Sequence, residues 1–234
     1  MPEHMASGLI EPDDVVGAPV VDDPELPCVS WKYRVGKRML DLIFAIIAVP
    51  LLLPICLVLI VAIKCTSRGP VLYRHLRVGQ NGRPFYLYKF RTMVTDGQHI
   101  LRMHLATNPD ARQEWMRQHK LQVDPRVTPL GRILRRTSLD ELPQIVNVVL
   151  GDMSFVGPRP IVPEEVSRYG DAFGIYAAAR PGITGLWQVN GRGTVSYCTR
   201  ISLDVDYVKT WSMLCDVKIL LNTLRVVAKR EGAY

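Results

Sequence analysis

The sequence predicts an α/β chain, mostly α: a re-entrant, membrane-inserted helix–break–helix joined to a compact cytoplasmic body with a small β-hairpin and amphipathic interfacial helices. Three observations predict it. Leu42 to Ile63 is an uncharged run of about 22 residues, long enough to enter a bilayer. Two short β-prone runs flank Gly79-Gln80-Asn81-Gly82-Arg83, which reads as a hairpin loop. Beyond residue 96, apolar residues recur at helical spacing.

Taken in order, residues 1–31 hold seven acids and no Lys or Arg. The stretch is acidic, Pro-containing and aperiodic, and is expected to be a disordered tail rather than a signal peptide. The net charge of +7 therefore hides 29 basic against 15 acidic residues from Lys32 onward, a charge of +14. A body that basic seeks anionic partners: phosphorylated substrates, an anionic membrane face or nucleic acid. The apolar run has no place in a nucleic-acid-binding protein, so that class is set aside. The five cysteines have neither zinc nor disulfide spacing and read as reduced thiols.

The apolar run is flanked by cations on both sides: Lys32, Arg34, Lys37 and Arg38 before it, then Lys64, Arg68, Arg74 and Arg77 after it. The positive-inside rule asks both flanks to be cytoplasmic. Pro50 and Pro54 sit mid-segment, where each deletes a helix hydrogen bond. Together these features predict a helix that enters, breaks near the prolines and returns over 32–66; a kinked spanning helix is the alternative. Arg38 and Asp41 stand three apart at the entry and are expected to pair.

The body, 67–234, begins with a turn at Ser67-Arg68-Gly69-Pro70, followed by β-runs at Val71-Leu72-Tyr73 and Phe85-Tyr86-Leu87-Tyr88. Lys89 and Arg91 alternate along the extended chain and so point to one side, as solvated charges or as a polyanion site. From Asp96 to Lys120 the pattern is helical, with Asn108 as N-cap and Pro109 as first residue of a second helix. Thr128 caps a short helix from Pro129 to Arg136. The last helix, about Leu214 to Arg230, is amphipathic and basic, suited to a membrane surface.

The chemistry concentrates in Arg135-Arg136-Thr137-Ser138-Leu139-Asp140-Glu141-Leu142-Pro143-Gln144. Ser138-x-x-Glu141 fits a capping box, so Glu141 could serve only the helix start. Near that helix start Asp140 is expected to be ionised, and an ionised carboxylate can attack phosphorus or bind a divalent cation. Arg159, locked between Pro158 and Pro160, suits a phosphate clamp. Arg180-Pro181-Gly182-Ile183-Thr184-Gly185-Leu186-Trp187-Gln188-Val189-Asn190-Gly191-Arg192-Gly193 reads as a rigid loop suited to a nucleotide and its sugar. Walker, G-x-G-x-x-G and Ser-His-Asp signals are absent. His75, His99, His104 and His119 are scattered and read as surface or packing residues.

Lys37-Arg38-x-x-Asp41, the apolar run with Pro54, Tyr88-Lys89-Phe90-Arg91-Thr92-Met93, Ser138 to Gln144, Gly151 to Pro160 and Arg180 to Gly185 occur in this order. The set resembles the bacterial sugar transferases, the monotopic polyprenyl-phosphate phosphoglycosyl transferases, over about residues 32 to 234. Residues 96–127 and the ending resemble the short branch that starts exopolysaccharide synthesis. The family carries its helix break on a Ser-Pro pair, where this chain has Leu53-Pro54 and an extra Pro50.

The resemblance implies an enzyme that transfers hexose-1-phosphate, galactose or glucose, from a UDP-sugar to undecaprenyl phosphate and releases UMP. It implies Asp140 as the nucleophile of a covalent phosphosugar ester and Glu141 as a ligand of Mg²⁺. Arg135 and Arg159 match family arginines near the phosphates; Lys89 and Arg91 match the basic pair before Thr92-Met93. The expected seat is the cytoplasmic face of the bacterial inner membrane, among phospholipids, and the family tendency points to a homodimer. The rival class is a non-catalytic membrane scaffold of a glycan assembly system.

Overall fold

The structure is a computed structural model that describes residues 26–118, 121–191 and 195–229. Its first described residues already belong to the folded body. Leu26 and Cys28 are buried beside Tyr33, Tyr207 and Trp211. The tail boundary expected after residue 31 therefore lies earlier, and residues 1–25 fall outside the described residues. All five cysteines are free thiols.

A π-helical turn over Lys32–Lys37 leads into α1, Arg38–Thr66. The helix runs through Pro50 and Pro54, so the interruption expected at those prolines is absent. A proline removes one ladder bond, which bends a helix more readily than it ends one. One face of this segment packs on the body at both ends: Tyr33, Lys37, Asp41 and Ala45 are buried at the start and Leu59 and Ile63 at the finish, while Leu52 and Cys56 between them are half-buried. The spacing is that of one helical face. The opposite face is apolar and exposed, with Ile46 at 72% and Leu51 at 69%.

Polar contacts fix the start of α1. Lys37 forms a fully buried ion pair with Asp216 at 2.6 Å, and Asp216 also accepts from Tyr207 Oη and Trp211 Nε1. Arg38 donates to the carbonyls of Val148 and Val149, while Asp41 accepts from Ser154 Oγ at 2.8 Å and Phe155 N–H at 3.1 Å. Arg38 and Asp41 therefore serve different partners instead of pairing, because each meets a backbone end that needs it. At the other end, Leu59 and Ile63 pack on Phe90 and Leu134.

The hairpin forms as the sequence predicts. Strands β1, Leu72–Val78, and β2, Pro84–Phe90, pair antiparallel, with Tyr73 opposite Lys89 and His75 opposite Leu87. Asn81 turns the chain at φ 58°. Helices α2, Gly97–Thr107, and α3, Pro109–Gln118, follow; Asn108 accepts from Ala111 N–H as the cap of α3. Helix α4, Pro129–Thr137, is capped by Thr128, which accepts from Gly131 N–H at 2.9 Å. Helix α5, Gln144–Leu150, ends at Gly151, whose φ of 92° is open to glycine.

Strand β3, Ser154–Val156, pairs in parallel with β4, Gly182–Thr184. Short helices α6, Val166–Tyr169, and α7, Phe173–Ala177, form the crossover. A methyl at Gly182 would overlap the Gly157 amide, so this glycine permits close packing of two backbones. Beyond it, α8 spans Leu186–Gly191, a helix where the sequence suggested a rigid loop. Helices α9, Tyr197–Thr210, and α10, Met213–Lys229, complete a mostly helical body.

Candidate active site

The site lies where the hairpin, the α4–α5 junction and the β3–β4 pair converge, and each element delivers side chains for a local reason. Cross-strand neighbours share a face, so β1 and β2 present Tyr73, His75 and Arg77 with Lys89. Helix α4 ends on Ser138 in the left-handed conformation, φ 57°. The chain is thrown at once into a 3-10 turn, Leu139–Glu141. Ser138 makes no side-chain cap to that turn, so the capping-box expectation is corrected. The acids stand on a separate turn ahead of α5, with Asp140 9% exposed.

Two cavities open on this junction. The larger, about 720 Å³, is lined by Asp140, Glu141, Arg135, Arg126, Arg91 and His75 among others. The smaller, about 240 Å³, takes Arg159, Trp187, Thr184 and Gln188 together with Leu52 of α1 and Val226 of α10. Arg77, Lys89, Ser138 and Glu141 line both. Lys89 Nζ contacts Glu141 Oε1 at 2.7 Å, and this ion pair stands on the boundary.

Burial raises the pKa of the Asp140 carboxyl above its ordinary value, with Glu141 adding to the rise while Lys89 and Arg135 oppose it. The helix-end setting expected to favour the anion is thus outweighed by desolvation. Arg135 is lowered by burial and donates from Nε to Thr92 Oγ1 at 2.9 Å. Arg91 donates twice to Ser67, at its carbonyl and hydroxyl, tying down the turn after α1. Its Nε and Nη1 remain buried without a partner in the wall of the large cavity. Such donors favour an anion.

Arg159 and Arg200 both stack on the Trp187 ring, each 5.5 Å from its centre. Burial and then Arg200 lower the Arg159 pKa; burial and then Arg159 lower Arg77 to about 10. Arg77 and Arg159 thus line the small cavity, while Arg200, bonded to Glu165, packs on Trp187 beside it.

The remaining sequence expectations divide. Lys89, Asp140, Glu141, Arg135 and Arg91 come together, and Gly182, Thr184 and Gln188 gather around Arg159 at the other cavity. Thr184 shares a hydrogen bond with Thr223 of α10 at 2.7 Å. Arg180 gives its backbone N–H to Tyr33 Oη and lines neither cavity; Asn190 is exposed and also lines neither. Arg192 lies outside the described residues. The 180–193 stretch is therefore split between packing and cavity wall, because α8 turns only part of it inward.

Sequence reasoning missed His75, Arg77, Trp187 and Arg200. His75 accepts at Nδ1 from Arg77 Nη2 at 3.0 Å, and burial first, then Arg77, lowers its pKa to about 4. The available signal was strand alternation, which puts 73, 75 and 77 on the Lys89 face.

A family profile described as bacterial sugar transferase matches residues 32–230. The chain is 44% identical over 200 residues to the exopolysaccharide production protein ExoY of Sinorhizobium fredii, covering 86% of this chain and 88% of that protein. It is 48% identical to the undecaprenyl-phosphate galactose phosphotransferase of Salmonella typhimurium, over 86% of this chain but 42% of that protein. It is 43% identical to a UDP-glucose:undecaprenyl-phosphate glucose-1-phosphate transferase of Caulobacter vibrioides, over 89% of this chain and 75% of that protein.

Proposed function

The chain belongs to the bacterial sugar transferase family, and from that premise we propose that it moves hexose-1-phosphate from a UDP-sugar to undecaprenyl phosphate, releasing UMP. The observation that carries the reading is the placement of Asp140. It is a buried carboxyl on the wall of a cavity that also holds Lys89, Arg91, Arg126 and Arg135. A cavity of that size suits a nucleotide sugar, and these cations suit its diphosphate. The names of the relatives support the substrates and split between galactose and glucose.

In the proposed chemistry an Asp140 oxygen attacks the sugar-bearing phosphorus, the bond to UMP breaks, and an aspartyl phosphosugar remains. A phosphate oxygen of the lipid then attacks the same phosphorus, and Asp140 leaves as a carboxylate. Arg135 and Lys89 hold the phosphates and offset charge as it develops. Arg91 steadies the turn that follows α1 and adds its charge to the wall of the same cavity.

Asp140 and Glu141, on consecutive positions of one turn, open onto the same cavity. Two carboxylates plus phosphate oxygens form the donor set a magnesium ion takes, so these residues fit Mg²⁺, with Glu141 as the principal ligand. Bound there, the ion would supply charge neutralisation for the diphosphate. Lys89 already holds Glu141, so ion and lysine would share or exchange that carboxylate.

The proposed location is the cytoplasmic face of the inner membrane, with α1 among phospholipids and both of its ends on that face; both ends of the segment pack on the same body, which supports that reading. Exposed helix faces leave room for a homodimer. The test is Asp140→Asn. It should abolish both lipid transfer and the lipid-independent exchange of label between UMP and UDP-sugar. Transfer at near-parental rate in that variant would refute the nucleophile.

A further inference from the structure

The two cavities differ in chemistry as well as size. The larger is walled by charged and polar residues and holds Asp140. The smaller joins apolar wall from Leu52, Ile145, Phe155 and Val226 to the polar Arg77, Arg159 and Gln188. Leu52 comes from the middle of the apolar run of α1, and Val226 from α10, whose outer residues Leu214, Val217, Leu221 and Leu224 are exposed. This cavity therefore opens between the two elements best suited to lipid. It is also too small for a nucleotide sugar, since even modest ligand pockets start near 300 Å³.

At the inner end of the small cavity stand Arg77 and Arg159. Among the described residues no carboxylate oxygen lies within ion-pair distance of Arg159, which is packed on Trp187 instead. The Trp187 Nε1 and Gln188 Oε1 atoms beside it are buried without partners. A cavity with apolar wall from α1 and α10 that also takes in half-buried Arg159 and Arg77, whose Nε stays unpartnered while its other nitrogens bond Pro160 and His75, suits a prenyl phosphate: chain outward, phosphate inward.

We infer that the small cavity is a separate acceptor seat, in which Arg77 and Arg159 hold the lipid phosphate and Leu52, Phe155 and Val226 bind the first isoprene units. The nucleotide sugar keeps to the large cavity, and the Lys89–Glu141 pair is the partition between them. This inference rests on the transferase reading above. In the acceptor step a lipid phosphate oxygen bonds to the phosphorus held on Asp140, and the Asp140 oxygen–phosphorus bond breaks. The carboxylate keeps the electron pair. A phosphate dianion and an ester monoanion become a diphosphate dianion and a carboxylate, so the step balances without a proton.

The test separates the two half-reactions in the full chain reconstituted with lipid. Val226→Trp fills the small cavity from α10. It should cut transfer to undecaprenyl phosphate by roughly tenfold or more while UMP–UDP-sugar exchange stays within about twofold of the parent. Leu221→Trp, on the outer face of the same helix, should change neither. Should Val226→Trp lose both activities through misfolding, Val226→Ala decides: it should raise the KM for the lipid and leave that for UDP-sugar unchanged. Equal losses in exchange and transfer with a folded Val226→Trp, or no change in lipid KM for Val226→Ala, overturn the acceptor seat. A parent chain without exchange for any UDP-hexose would instead overturn the transferase reading itself.

Discussion

His75 shows what a single hydrogen bond can dictate. A guanidinium has no acceptor atom, so the contact from Arg77 forces Nδ1 to be the acceptor and leaves the hydrogen on Nε2. Burial and the neighbouring cation push the imidazole down to about 4. The ring is therefore a neutral donor across the physiological range, protonated only as pH falls toward 4, when it would add a cation beside Arg77. A ring titration followed by nitrogen NMR should show that low midpoint and no imidazole inflection near 6.5. His75→Gln keeps a donor and should hold activity near parental, whereas His75→Phe should raise the UDP-sugar KM about two- to tenfold, the worth of one hydrogen bond. None of this is visible in a sequence, where a histidine carries no tautomer. Asp140 and Glu141, by contrast, stand out in the sequence from their flanking residues, and the structure puts both on one cavity wall. Arg91 falls between: alternation with Lys89 gave its direction, but not that half its guanidinium would be spent on Ser67.

Among the elements, the π-helical turn and α10 are joined by one buried charge pair. Asp216 accepts from Lys37, Tyr207 and Trp211, and both members of the ion pair are buried. Removing one partner of such a pair leaves a charge in an apolar setting, at a cost of about 3–5 kcal/mol. Asp216→Ala should therefore lower the unfolding midpoint strongly in detergent, and Lys37→Met with Asp216→Leu should recover most of the loss. If Asp216→Ala unfolds like the parent, the pair is not a structural tie. The pairing has no sequence signal, because 179 positions separate its members. Local elements were more legible: Thr128, Asn108 and Gly151 cap or stop their helices as their residue types require. The β3–β4 pair was missed, since two three-residue strands brought together by a crossover carry too little periodicity to read.

At the scale of the molecule, large apolar side chains are exposed on several helices. They include Ile133 of α4, Val146, Val149 and Leu150 of α5, the Leu214–Leu224 stripe of α10 and the outer face of α1. Only 11% of the most apolar 18-residue window of that segment is buried. Exposure of this extent marks a membrane-facing surface. Both ends of the segment pack on the same body, so both should sit on the same side of the bilayer. In intact spheroplasts, a membrane-impermeant maleimide should label neither native Cys65, exposed at the far end of α1, nor a Trp31→Cys substitution at the near end. Labelling of one site alone would establish a crossing. The sequence showed the apolar length and the basic flanks; it could not show that one helical face docks on the protein at both ends of the segment.

That division of α1 into an inner and an outer face makes the bilayer a ligand of the native state. Tyr33, Asp41, Ala45, Leu59 and Ile63 face the interior, and only when they are docked is the opposite stripe presented as one continuous surface. Lipid that prefers this surface to the unfolded chain stabilises the fold by mass action. Membrane attachment and folding are then one linked equilibrium, and extracting the helix means dismantling the site it supports.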